Sequence, residues 1–315
     1  MKLYLTGGSG FLGSNIIRVA QENYHADIFT TVNAWQPQSP VNFAYEPVDI
    51  GDRDAVLRTV EAFRPEAIIH SAILNNFPLM YQDRKLAWRL YVEATRNLVD
   101  AANAVGAKIV LVSTDWVFDG TQGGADESTP PNGINYYGVL KIACEQVLLS
   151  RAEHGAVARV SGVNGLHWLR RDEAQAQNAG YGHFITGVLA DLQRDGFCEV
   201  WEGENVNMQA TPSLASDSAE QMMKIITGGH QGVFHCSGSE SIGRVDFARR
   251  VARAFGYDEA AIRPGVPQMD DLAGIRIPYD TSISAAYTAQ TLNHAALDAD
   301  GIIAAYKRQL ETGLL

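Results

Sequence analysis

Leu3-Tyr4-Leu5 runs into Thr6-Gly7-Gly8-Ser9-Gly10-Phe11-Leu12-Gly13, and Ser14-Asn15-Ile16-Ile17-Arg18-Val19-Ala20 follows with helical apolar spacing. A strand, a glycine turn and a helix in that order confine the chain to few folds. Glycines at 7, 10 and 13 suit a tight turn, close approach of backbone N–H groups to a pyrophosphate, and close packing of helix on strand. Gly8, Gly10 and Gly13 also satisfy Gly-x-Gly-x-x-Gly, so the register is open. Phe11 and Leu12, at the start of the helix, are assigned to the same site.

The alternation continues. Ile28-Phe29-Thr30-Thr31-Val32 reads as a second strand ending at Asn33. A fold that prefers NAD carries Asp or Glu about 20 residues beyond the glycines, to accept from the adenosine ribose. Val32-Asn33-Ala34-Trp35 has no carboxylate and no adjacent Arg for a 2'-phosphate, so NADP or NAD is expected, with NADP favoured. A third strand is expected to end at Asp49-Ile50; Asp49 either touches adenine or caps the helix around Ala55 to Phe63. Glu66 to Ala72 is a fourth strand entering a turn where small residues, Ser71 and Ala72, let a nicotinamide ribose lie against the backbone. His70 is read as structural. Along a long helix, Lys85 to Val105, the stripe Leu90, Ala94, Leu98, Ala101 and Val105 is core or a helix-bundle dimer face.

Ile109-Val110-Leu111-Val112 is a buried parallel strand that delivers Ser113 and Thr114 at its carboxyl end, where open α/β sheets bind ligands. Tyr137 and Lys141 lie four apart in a helical segment, Gly138 to Leu149, so both emerge on one face. A phenol of pKa roughly 10 is a poor acid–base group near neutrality, and a neighbouring ammonium is expected to lower that value. Tyr137 then gives a proton to a carbonyl oxygen or takes one from an alcohol, and Thr114 holds the same oxygen.

Strand and helix alternate through Arg159, which implies an α/β fold with a doubly wound parallel sheet (Rossmann) and a smaller C-terminal α/β substrate domain. Residues 1–163, with a segment returning near 206–232, are expected to bind the dinucleotide; 164–205 and 233–315 form the substrate region. Thr6-Gly7-x-x-Gly10-x-x-Gly13, Ser113-Thr114-Asp115 and Tyr137-x-x-x-Lys141 together resemble the extended short-chain dehydrogenase/reductase family. Ser113 to Gly120, Glu127, Thr211-Pro212 and Arg276-x-Pro278 are similar to its dTDP-4-dehydrorhamnose reductase subgroup. The resemblance implies Tyr137 as general acid, Lys141 on the nicotinamide ribose, and Thr114 polarising the substrate carbonyl. It implies a sugar or sugar-nucleotide substrate and hydride transfer between nicotinamide and a carbonyl or hydroxyl. Related dehydratases tend to carry Asp-Glu after that Thr; Asp115-Trp116 favours plain reduction or oxidation. The chain departs from the subgroup at Trp116 (usually Tyr), at Tyr91 (commonly Asn) and across His70 to Asn76. Two further readings stay open: an epimerase with tightly held NAD, and a non-catalytic regulator similar to the regulatory subunit of methionine adenosyltransferase.

In the second region, Ser161 to Gly165 is expected beside the nicotinamide. Arg170 and Arg171 either bind a diphosphate or form a solvated loop balanced by Asp172 and Glu173. Phe184, Trp201, Asn205, Asn207 and Gln209 are candidates to line a sugar pocket. Val233 to Cys236 reads as a strand of the smaller domain, with His235 and Cys236 pointing to opposite faces and so not a nucleophile pair. A net charge of −11 disfavours nucleic acid or an anionic membrane as partner. Cys144, Cys198 and Cys236 show neither a disulfide framework nor zinc spacing, and no metal is expected. No signal peptide or bilayer-spanning run is read, so a cytoplasmic homodimer is expected.

Overall fold

The computed structural model describes residues 1–171, 178–267 and 274–315. In chain order come β1 (Lys2–Thr6), α1 (Phe11–Tyr24), β2 (Asp27–Val32), β3 (Ala44–Pro47), α2 (Arg53–Phe63) and β4 (Ala67–His70). Next are α3 (Phe77–Gln82), α4 (Arg84–Trp88), a π-helical turn (Arg89–Glu93), α5 (Ala94–Val105), β5 (Lys108–Thr114), a 3-10 turn (Asp115–Val117), α6 (Tyr136–Arg151) and β6 (Gly155–Val160). The chain continues through β7 (Val163–Asn164), α7 (Phe184–Asp195), β8 (Cys198–Trp201), β9 (Gln209–Ala210), β10 (Ser213–Leu214), α8 (Ala215–Gly228) and β11 (Gly232–His235). It closes with β12 (Ile242–Gly243), α9 (Arg244–Ala254), β13 (Ile262–Gly265), β14 (Asp280–Thr281), α10 (Ala286–Thr291) and α11 (Ala299–Thr312).

Seven strands form one sheet in the order β11-β6-β5-β4-β1-β2-β3, every pair parallel. The order reverses between β1 and β4, and the crevice at their carboxyl ends is where such a sheet takes a ligand. One face is covered by α1 and α8 through Ile16, Ile17, Met222 and Ile226; the other carries Val56, Leu98, Leu140 and Leu148 from α2, α5 and α6. Near-continuous apolar strands such as Lys108–Thr114 follow from burial on both faces. Smaller β pairings and a core of Phe184, Val188, Phe247, Val251 and Ile302 make up the rest.

Four expectations are corrected here. The third strand stops at Pro47, which pairs with Val32 at the end of β2, so Asp49 and Ile50 follow it. Asp52, not Asp49, caps α2, accepting from the N–H groups of Asp54 and Ala55. Val233 to His235 pairs with β6 and forms the edge of the large sheet, so the returning segment runs beyond 232. The long helix is interrupted by the π turn; Ala94, Leu98 and Ala101 of its stripe are core, while Leu90 reaches the crevice.

Candidate functional site

Gly7 has a φ of +74°, and a Cβ there would lie 2.8 Å from the Ala72 Cα. A Cβ at Gly13 would lie 2.7 Å from the Gly8 Cα. Both positions therefore demand glycine. Gly8 is also closely packed, against Thr30 of β2, and donates its N–H to Thr30 Oγ1 at 3.1 Å. Gly7, Gly10 and Gly13 line the crevice, and Gly8 does not. Gly10 caps α1 without a side-chain bond, so the first turn, Phe11, Leu12 and Gly13, offers backbone N–H groups to an anion.

One cavity of about 770 Å³ runs from this turn to the end of β5. Gly7, Gly10, Phe11, Leu12, Gly13, Asn33, Asp49, Ile50, Ser71, Ala72, Tyr137 and Lys141 all line it. At its far end Asp49 accepts from Arg89 Nη1 at 2.7 Å and from the Gly51 N–H at 2.9 Å. Partial burial works against that carboxylate, but Arg89 and the Gly51 N–H outweigh it and hold it below the usual range. Arg89 was not anticipated; it enters from the π turn, forty residues away along the chain.

β5 ends in Ser113 and Thr114, and the Thr114 hydroxyl accepts from the Trp116 N–H at 3.2 Å, capping the 3-10 turn. α6 starts under the Asn135 cap, which accepts from the Gly138 N–H at 2.8 Å and sets Tyr137 in the first turn. Lys141 is buried, donates to the Val112 carbonyl at 2.9 Å, and sits 6.0 Å from the Tyr137 ring centroid and 5.6 Å from that of Tyr91. The acidity expected of this phenol is not found. Burial pushes Tyr137 upward, Thr114 opposes and Asp115 adds to the rise; Lys141 is itself lowered by burial and lies over the ring. A phenol that keeps its proton is suited to donate it. His70 bonds Thr6 Oγ1 at 2.7 Å and is pushed down to about 3 by burial, in keeping with a structural role.

The model of the RmlD substrate binding domain matches residues 1–292. The chain belongs to that family. Methionine adenosyltransferase 2 subunit beta of Bos taurus is 26% identical over 267 residues, covering 84% of this chain and 75% of the relative. The dTDP-4-dehydrorhamnose reductase of Mycobacterium tuberculosis is 25% identical over 272 residues, covering 84% and 78%. The structure of the Bacillus anthracis dTDP-4-dehydrorhamnose reductase in complex with NADP aligns with a TM-score of 0.78 at 21% identity, over 99% of this chain and 98% of that one.

This RmlD-family chain departs from expectation on its substrate side. Phe184 is core, stacked against Tyr181 and Phe247 at 5.5 and 5.7 Å. Asn207 donates to the carbonyls of Pro278 and Tyr279, and Asn205 brackets Ile275 and Ile277, so both pin a loop. Gln209 bonds Ser241, and Trp201 ends β8 beside Gly265. None of these five lines the cavity. Beside Tyr137 stand Phe77, Tyr91 and Trp116, with ring centroids 5.5, 6.2 and 6.0 Å away. Arg170 donates to the Ser9 carbonyl at 2.7 Å and lines the crevice at the glycine turn; Arg171 and Arg18 both stack on Trp168. Asp172 and Glu173, expected to balance them, lie outside the described residues. After β6, Ser161 reaches Asp115, while Val160, the last residue of β6, lines the cavity and none of residues 161–165 does.

Sequence reasoning missed a buried network behind the site. Glu145 accepts from Arg159 at 2.7 and 3.0 Å and from Ser113 at 2.5 Å, and Arg159 reaches His235 at 3.4 Å. The signal was present: Glu145 follows Lys141 by one turn, and Arg159 interrupts an apolar strand. Charges in such settings are buried with partners.

Proposed function

We propose that this chain is an NAD(P)-dependent oxidoreductase that moves hydride between nicotinamide and a carbonyl or hydroxyl of a sugar or sugar nucleotide, in the manner of a 4-keto-sugar reductase. The observation that carries the reading is a single cavity lined by the glycine turn at one end and by Tyr137 and Lys141 at the other. A dinucleotide fits it. The turn at Gly7 and Gly13 leaves no room for side chains, and the volume lies in the range of cofactor pockets. Gly7, Gly10, Phe11, Leu12 and Gly13 hold the diphosphate, Asn33, Asp49 and Ile50 the adenosine, and Ser71, Ala72 and Lys141 the nicotinamide ribose. The want of a carboxylate at Asn33 supports NADP over NAD. When bound, the cofactor supplies hydride.

Tyr137 gives its proton to the carbonyl oxygen, and Thr114 steadies that oxygen as charge develops. A neutral phenol favours reduction as the working direction. The M. tuberculosis and B. anthracis relatives support a dTDP-sugar as substrate, while Trp116 in the aromatic wall reshapes the place it would occupy. The same reading divides the chain into a dinucleotide-binding region, 1–163 with a return through β11, and a substrate region formed by the rest. Among the described residues no helix is long and apolar enough to cross a membrane. Three buried free cysteines support the cytoplasm as location, and exposed Trp88, Val139 and Leu149 support a homodimer.

Identity to methionine adenosyltransferase 2 subunit beta favours a second reading, a regulatory subunit. Reduction of dTDP-4-dehydrorhamnose, followed by NADPH or NADH absorbance, separates the two. We expect stoichiometric cofactor oxidation, and Tyr137→Phe should lower turnover by about 10³-fold while leaving cofactor affinity nearly unchanged. A Tyr137→Phe variant that keeps wild-type turnover ends the mechanism.

A further inference from the structure

A hydroxyl has one proton to give and two lone pairs to fill. One lone pair of Thr114 Oγ1 takes the Trp116 N–H at 3.2 Å, and Asp115 Oδ1 lies 3.0 Å away. An ionised carboxylate can only accept. Beside ionised Asp115, the Thr114 proton points at Oδ1 and none is left for a substrate oxygen. Beside protonated Asp115 the direction reverses: the carboxyl O–H fills the second lone pair, and the Thr114 proton turns outward.

The surroundings of Asp115 make both forms accessible. The residue is 4% exposed. Its other oxygen accepts from Ser161 Oγ, after β6, at 2.8 Å. From α6 the titratable group facing it is Tyr137. Burial raises the carboxyl from 3.8 to about 6 against the pull of the Ser161 and Thr114 hydroxyls.

We propose that Asp115 is a positioning residue: protonated, it aims the Thr114 hydroxyl at the substrate carbonyl, and ionised, it turns that hydroxyl away. This rests on the reductase reading, with Thr114 as the group that holds the oxygen.

Two measurements test it. Carbon-detected NMR titration of the Asp115 carboxyl needs no turnover. The wild-type midpoint should fall near 6, and Thr114→Val, which loses a donor to the carboxylate, should move it higher. A midpoint unmoved by Thr114→Val overturns the coupling. The pH profile of kcat/KM tests the consequence. Wild-type activity should fall as pH rises through the Asp115 midpoint, by up to about a hundredfold, the scale of one lost oxyanion donor. Asp115→Asn presents an N–H donor to Thr114 at every pH and should be flat over that range. Superimposable profiles with turnover intact overturn this proposal alone. A wild type with no turnover on any sugar nucleotide overturns the reductase reading, and the positioning role with it.

Discussion

The two ends of the crevice are built by different means. At the glycine turn, residues 7–13 make most of the cradle, with Gly13 against Gly8 inside the turn and one distant neighbour, Ala72 after β4, against Gly7. At the other end Tyr137 of α6 is packed by Phe77 of α3 and Trp116 of the 3-10 turn, which meet from distant parts of the chain. The loop at 275–281 is held by Asn205 and Asn207. A local cradle tolerates little change in its own few residues; a wall gathered from distant segments depends on the packing behind it.

The largest expected effect tests that packing. Phe184→Ala opens the stack with Tyr181 and Phe247 and should destabilise the fold by about 3–5 kcal/mol in urea denaturation, with KM for the sugar unchanged in the folded fraction. A raised sugar KM with stability intact would return Phe184 to the pocket.

Next is the pH dependence set by Asp115. Its folded pKa of about 6 lies above the ordinary 3.8, so the folded state holds the proton more tightly than the unfolded chain. The associated stability is present below pH 3.8 and is lost as pH rises through about 6. The rise corresponds to about 3 kcal/mol. The stability of wild type minus that of Asp115→Asn should fall by about that amount between acid and neutral pH; a constant difference would mean that Asp115 is ionised as easily in the fold as in water.

How far the sequence foretold these outcomes follows from the same contrast. The glycine turn, Tyr137, Lys141 and the parallel strands were legible because each depends on spacing over a few residues. The burial of Asp115 was not, since its partner Ser161 arrives from another segment, after β6. Glu145 and Arg159 stand on different elements, α6 and β6, and their pairing depends on the packing of one on the other. Phe184, Asn205 and Asn207 have the composition of a sugar site, but composition does not say which way a side chain faces. The acidity of Tyr137 was misjudged because four-residue spacing gives proximity to Lys141 without giving the position of its ammonium, which the Val112 carbonyl holds.

Gly13→Ala sharpens the cofactor side. A methyl group 2.7 Å from the Gly8 Cα must displace the turn. A shift of about 1 Å corresponds to a loss of about a hundredfold in kcat/KM for the cofactor, with sugar KM little changed. Equal losses for both substrates would mean that the turn and the wall move as one body.

The smallest effect belongs to Asp49, at the open end of the same cleft. Its carboxylate is half-exposed, and its ion pair with Arg89 at 2.7 Å is of the surface kind, contributing at most about 1 kcal/mol to stability. Because Arg89 and the Gly51 N–H favour the ionised form, that contribution is present at neutral pH and lost as pH falls below the usual carboxylate range. Asp49→Asn should therefore shift the denaturation midpoint slightly at neutral pH and not at all in acid. For the cofactor the two roles of Asp49 diverge. If it only anchors Arg89, Asp49→Asn and Arg89→Met should alter cofactor KM equally and the double variant no further; if Asp49 also touches adenine, the asparagine should act alone and the two effects should add.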